Sequence, residues 1–126
     1  MGYILTYSKK PVTTNAERAG NRWGRAAATK EWRETFTWLA RKEKIPKMRW
    51  INVTAQPFQR MGRLQDTAAC NPSVKAAIDG LVDAGIVPDD SGEYVRMIIF
   101  MPAVRGDDSL TLIIEGERDA TTVKEA

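Results

Sequence analysis

Histidine is missing from all 126 residues, and cysteine occurs once, as Cys70. The first absence excludes Ser-His-Asp and Cys-His catalysis, histidine zinc sites and histidine pH switching. The second excludes an intrachain disulfide and any cysteine-built zinc or iron–sulfur centre. Any chemistry must therefore use carboxylates, Lys, Arg, Tyr, Ser or Thr, and oxygen ligands of this kind select magnesium or manganese. Cys70 reads as a small buried hydrophobe rather than a nucleophile. Long apolar runs are also lacking: no stretch approaches the roughly 20 apolar residues of a membrane span. The start, Met1-Gly2-Tyr3-Ile4-Leu5-Thr6-Tyr7, has neither the charged region nor the apolar core of a signal peptide. The expected location is the cytoplasm, without a membrane partner.

Negative charge is scarce in one half only. The whole chain carries 19 Lys and Arg against 16 Asp and Glu, a net of +3. Residues 1–63 hold 14 basic and 4 acidic side chains, a net of +10, whereas residues 64–126 hold 5 and 12, a net of −7. A basic half of this strength suits an anionic partner.

Hydrophobic periodicity predicts six elements. Residues 3–7 read as a strand, and residues 9–24, polar and broken by Pro11, Gly20 and Gly24, as a basic loop. A helix is expected from Thr29 to Lys42, with Trp32, Phe36, Leu39 and Ala40 on its buried face and Pro46 beyond its end. Residues 48–55 read as a strand and 56–69 as a loop. A second helix has Asn71 as N-cap, Pro72 at its first position and Gly85 as C′, with Val74, Ala77, Ile78, Leu81 and Val82 as its apolar stripe. Strands over 94–101 and 109–115 are expected to form a hairpin. The fold class is a single two-layer α/β (α+β) domain, β-α-β-α-β-β, with a small mixed sheet covered by helices.

Two groups of residues invite function. Asp66, Asp89 and Asp90 flank the second helix, with Lys75 between them. Carboxylates meeting there make a Mg²⁺ site, while Pro88-Asp89-Asp90-Ser91-Gly92 is equally a turn sequence. The other group is basic: Lys9, Lys10, Arg18, Arg22 and Arg25, extended by Lys30, Arg33 and Arg41. Such cations bind phosphates, and they also solubilise surfaces. Asn15 reads either as a phosphate contact or as a turn cap. Trp23 is assigned to the core rather than to base stacking.

Thr14-Asn15, Trp23 and the run Arg25-Ala26-Ala27-Ala28-Thr29-Lys30-Glu31-Trp32-Arg33 resemble the N-terminal part of RusA-type Holliday junction resolvases, especially phage-borne members. The stretch from Pro72-Ser73-Val74-Lys75 through Ala84-Gly85-Ile86-Val87-Pro88-Asp89-Asp90 resembles the same family more specifically. The resemblance covers roughly residues 3–116, so 1–116 reads as a RusA-like nuclease domain and 117–126 as a flexible tail. It implies a homodimeric endonuclease that cuts four-way DNA junctions using Mg²⁺ or Mn²⁺ held by aspartates. Asp66 matches the first aspartate of the family's Asp-x-Asp-Asn cluster, Lys75 its helix lysine and Asp90 its exit aspartate. These three become the implied catalytic residues, with Asp66, Asp90 and Asp89 on the metal. Lys9, Lys10, Asn15, Arg18, Arg22, Arg25, Lys30 and Arg33 become the implied DNA contacts. The cluster's second Asp and its Asn fall at Ala68 and Ala69, which carry no ligand atom. Three functions remain as expectations. One is a Mg-dependent endonuclease resolving branched DNA during phage recombination or replication. Another is a RusA-fold protein that binds branched DNA with weakened or lost catalysis. The third is a phage protein that binds a host protein.

Overall fold

A computed structural model describes residues 2–119. Strand β1 (Gly2–Tyr7) leads to helix α1 (Thr14–Ala19), helix α2 (Arg22–Lys42) and strand β2 (Met48–Gln59). Helix α3 (Asn71–Asp83) follows, then β3 (Val95–Phe100), β4 (Val104–Arg105) and β5 (Ser109–Arg118). The sheet runs β1-β5-β2-β3, with β4 continuing the β3 side along β2. It is mixed: β1/β5 and β5/β2 are antiparallel, and β2 pairs with β3 and β4 in parallel. This is an α+β domain, as the sequence predicts.

Alternation explains the two layers. Ile51, Val53 and Ala55 of β2 and Leu110, Leu112 and Ile114 of β5 are buried on one face, where period-2 patterning places them together. Helices α2 and α3 cover that face with Trp32, Phe36 and Ala40 and with Val74, Ala77, Ile78 and Leu81. The helices meet closely at Gly80, where a Cβ would lie 2.3 Å from the Arg33 carbonyl oxygen. Thr37 Oγ1 sits 2.9 Å from the Gly80 carbonyl oxygen at the same crossing. Only glycine allows that approach.

The structure corrects several expectations. The basic segment 9–24 is a loop only over its first residues, up to Thr13: Thr13 caps α1 by accepting from Ala16 N at 3.2 Å, and Asn21 caps α2 by accepting from Gly24 N at 2.7 Å. The cap of α3 is Cys70, with no side-chain bond, and Asn71 is already helical, while Gly85 takes the left-handed C′ conformation (φ +84°) as expected. The hairpin is absent. β3 and β5 lie on opposite sides of β2, and the chain crosses between them around the β2 end, where Arg60 N donates to Asp108 Oδ1 at 2.9 Å. Strand β2 runs four residues past Ala55, through Pro57. Pro57 has no N–H to give, and the β3 side breaks there: pairing ends at Ala55–Phe100 and resumes at Phe58–Val104. Glu117 and Arg118, assigned to a tail, belong to β5. Asp119 N donates to Lys47 O at 2.9 Å, and the remaining tail, 120–126, lies outside the described residues.

Candidate nucleic-acid interface

Helix α2 extends well beyond its packed part. None of its first ten residues is buried, and Trp23 is 79% exposed, so its assignment to the core is overturned. The reason is angular. At 3.6 residues per turn, nine residues carry Trp23 about half a turn away from Trp32 and the buried face. The signal was available only to a reading that began the helix at Arg22 instead of Thr29. The Arg22 guanidinium lies 5.7 Å from the Trp23 ring centroid, a cation–π contact on the surface. Arg25 ties α1 to α2, its Nη1 donating to Gly20 O at 2.7 Å and to Glu17 O at 3.3 Å.

The remaining basic candidates divide by what they touch. Lys9 Nζ donates to both Glu31 carboxylate oxygens, at 2.6 and 2.7 Å, and the Tyr7 hydroxyl donates to the same group. The Lys9 bonds first, and then the Tyr7 bond, hold the Glu31 carboxyl below its ordinary value. Glu31 in return raises both Lys9 and Tyr7. Arg33 grips Asp83 with two bonds, Nε–Oδ2 at 2.5 Å and Nη2–Oδ1 at 2.9 Å, which raise Arg33 and lower Asp83. Lys30 Nζ stands 3.9 Å from Glu34. Lys9 and Arg33 therefore join structural elements. Lys10, Arg18 and Arg22 are exposed without a carboxylate partner among the described residues. Arg41 lies at the far end of α2, its Nη2 3.3 Å from Asp83 O.

Asn15 is on α1 and lines an open cleft of about 390 Å³ with Thr13, Arg63, Asp66 and Ala68. Asp66 is thereby brought near the α1 start. Lys75 and Asp90 do not line that cleft. They meet each other, Nζ to Oδ2 at 3.1 Å, because the chain after α3 folds back along it. Asp89 turns into its own loop, its Oδ1 accepting from Ser91 N at 2.8 Å. The Ser91 side chain and then its backbone N–H hold that carboxyl below its ordinary value. Burial pushes the Cys70 thiol up to about 11, in keeping with an inert core residue. Ala68 adopts φ +69°, a conformation that L side chains other than Asn and Asp rarely take.

The resemblance implies a metal held by Asp66, Asp89 and Asp90. Among the described residues no three His, Cys, Asp or Glu side chains group closely enough to hold an ion. Asp66 precedes α3 in the chain, and Asp89 and Asp90 follow it where the returning chain sets Asp90 against Lys75. Asp90 is engaged by Lys75 and Asp89 by Ser91, while Ala68 and Ala69 add no oxygen. The three aspartates as placed do not converge into one donor set. No helix among the described residues is long and apolar enough to cross a membrane.

No protein-family model and no curated protein sequence matches the chain. Among solved structures, thiamine-monophosphate kinase from Stenotrophomonas maltophilia is similar at 15% identity and a TM-score of 0.40. The match covers 90% of this chain and 29% of the kinase.

Proposed function

We propose that this protein binds branched DNA through the α1–α2 face and does so without needing a metal ion. The observation that carries the reading is Trp23, exposed on α2 beside Arg22, with Arg18, Arg25 and Lys10 on the same basic N-terminal segment. An exposed tryptophan offers a base a stacking platform worth about 1–3 kcal/mol, and the cations supply phosphate contacts. Burying a tryptophan stabilises a fold, so leaving one exposed points to a partner. The resemblance of residues 14–33 and 72–90 to junction resolvases supports four-way DNA as the substrate class.

The test is fluorescence anisotropy with a labelled four-way junction in EDTA. Binding is expected to persist, to weaken with salt at a log–log slope of about −3 for three phosphate contacts, and to fall at least about 10-fold in Trp23→Ala. Affinity that ignores both salt and Trp23 overturns the reading. A second reading, endonuclease activity with Asp66, Lys75 and Asp90 as the reacting set and Mg²⁺ or Mn²⁺ as cofactor, is favoured by the Lys75–Asp90 contact. Junction cleavage in either metal, lost in Asp90→Asn, establishes it. Intact junctions at every metal concentration leave the binding module.

A further inference from the structure

Helix α2 carries a second exposed tryptophan. Trp38 is 59% exposed although it lies in the half of the helix that packs, and the Lys42 ammonium stands 5.0 Å from its ring centroid. The same pairing of ring and cation occurs at Trp23 with Arg22. The other two tryptophans have structural work: Trp32 is buried in the core, and Trp50 Nε1 donates to Glu117 Oε2 at 3.1 Å.

The helix fixes how Trp23 and Trp38 stand to each other. Fifteen residues separate them in one continuous α2. At 1.5 Å and about 100° per residue this is about 22 Å along the axis and four turns plus about 60°. Both therefore leave the helix on one side, each about 150° round the axis from buried Phe36. Ala27, Lys30 and Glu34 stand between them and Arg41 follows Trp38, all exposed and all within a strip about 80° wide. Glu34 is the strip's one acid, and Lys30 Nζ lies 3.9 Å from it. Arg41 and Lys42 have no carboxylate partner among the described residues. Arg22, Lys30, Arg41 and Lys42 against Glu34 leave this side of α2 at +3. A shallow recess of about 280 Å³ opens beside the Trp38 ring, between α2 and Asp83 at the end of α3.

We infer that the outer side of α2 holds an unpaired DNA strand at two points, one base stacked on Trp23 and another on Trp38. Lys30 and the flanking Arg22, Arg41 and Lys42 take the phosphates. The inference rests on the DNA-binding reading above and narrows its substrate to branches that carry a single-stranded arm. A duplex covers base faces in its own stack, so paired arms give two separated rings nothing to stack on. An unpaired strand offers a face at every nucleotide. The 22 Å between the rings equals about six or seven nucleotides of stacked strand at about 3.4 Å each, and fewer of an extended one. That length falls within the range of about 4–16 nucleotides typical of single-strand sites. A protein partner fits less well, because charged residues part the two rings and leave no continuous apolar patch to form an interface core.

The test uses the full chain in EDTA with a labelled thymidylate trimer, a labelled dodecamer and a four-way junction whose arms are fully paired. The trimer spans about 10 Å when stacked and reaches one ring, whereas the dodecamer reaches both. With the dodecamer, Trp23→Ala and Trp38→Ala are each expected to lower affinity at least about 10-fold, and the double variant at least about 100-fold. Trp38→Phe is expected to recover most of the loss, and circular dichroism to stay unchanged throughout. With the trimer, which either ring can serve, each single change is expected to stay within about two-fold. The paired junction is expected to lose affinity in Trp23→Ala and to ignore Trp38→Ala. A dodecamer indifferent to Trp38→Ala, or a trimer as sensitive as the dodecamer, overturns the inference and leaves the junction reading intact. A twelve-residue oligoglutamate that displaces the dodecamer at equal concentration also overturns it, since cations alone then account for binding. A junction indifferent to Trp23→Ala, with the dodecamer still held at both rings, overturns the junction reading and upholds the strand site.

Discussion

The two halves of α2 are one continuous helix under two regimes. Its last eleven residues supply Trp32, Phe36 and Ala40 to the core, and Trp32 packs between Tyr7, 4.8 Å away edge-on, and Phe36, 6.1 Å away and stacked. Its first ten bury nothing, and the Asn21 cap and the Arg25 bonds to α1 anchor the end that carries Arg22 and Trp23. Tertiary packing stabilises most protein helices. A half without it must be held by capping and by continuity with the packed half. The fold thus supplies rigidity at one end, and the other end presents it to a partner.

The largest expected effects separate the halves. Phe36 is fully buried, so Phe36→Ala is expected to cost about 3–5 kcal/mol in urea unfolding. Trp23→Ala is expected to change stability by no more than about 0.5 kcal/mol, as for other exposed positions, while losing junction affinity. A Trp23→Ala variant that unfolds as readily as Phe36→Ala breaks the distinction.

Next in size is Gly80→Ala. Inside a helix this change ordinarily gains up to about 1 kcal/mol. Here the new Cβ meets backbone, the Arg33 carbonyl oxygen at 2.3 Å and Thr37 N at 3.1 Å, so α2 and α3 must separate. The sign is expected to reverse, to a loss of about 2 kcal/mol. Stabilisation on thermal unfolding refutes the tight crossing.

These contrasts also show what the sequence could disclose. The packed half of α2 and most of α3 were legible because burial imposes a 3.6-residue period on them. The exposed half of α2 carries no such period, so Gly24 and the basic residues read as loop, and Trp23 was drawn to the core by its size alone. The β3–β5 hairpin failed for a different reason: residues 102–108 have turn composition whether the next strand pairs with β3 or crosses β2. Only the break in pairing beside Pro57 marks the second path, and it is visible in three dimensions alone. Of the site residues, Lys75 and Asp90 stand out through a motif that spans the whole helix, whereas their contact with each other depends on the fold-back after α3. That Asp66 lines the cleft with Asn15 while Lys75 and Asp90 do not could not be read from spacing, since the loop 60–69 permits either arrangement.

Acid sharpens the comparison on a smaller scale. Glu31 and Asp83, which tie α2 to β1 and to α3, both have carboxyls lowered by their cationic partners. A lowered folded value means stability that is present above the unfolded values near 4 and lost as pH falls through the folded ones. Both groups are more than a third exposed, so each contributes well under about 1 kcal/mol. Stability is expected to decline below about pH 4.5, and the decline to shrink in Glu31→Gln/Asp83→Asn relative to that variant's own neutral baseline. An unaltered acid limb assigns the titration elsewhere.

The smallest effect concerns the cleft beside the exposed half. Ala68 holds φ +69° between Thr67 and Ala69, and an L residue without a local side-chain bond pays about 1 kcal/mol for that conformation. Asn tolerates it, because its short amide can bond to the neighbouring backbone. Ala68→Asn is therefore expected to raise stability by about 0.5 kcal/mol and the melting temperature by about 2 °C. Junction affinity should stay within about two-fold, because the α1–α2 face and not the cleft carries the DNA contacts in this reading. A variant that is more stable yet binds the junction differently extends the interface from Trp23 across α1 to Asn15 and Asp66. A less stable variant shows that the loop holds Ala68 in place by contacts that an amide displaces.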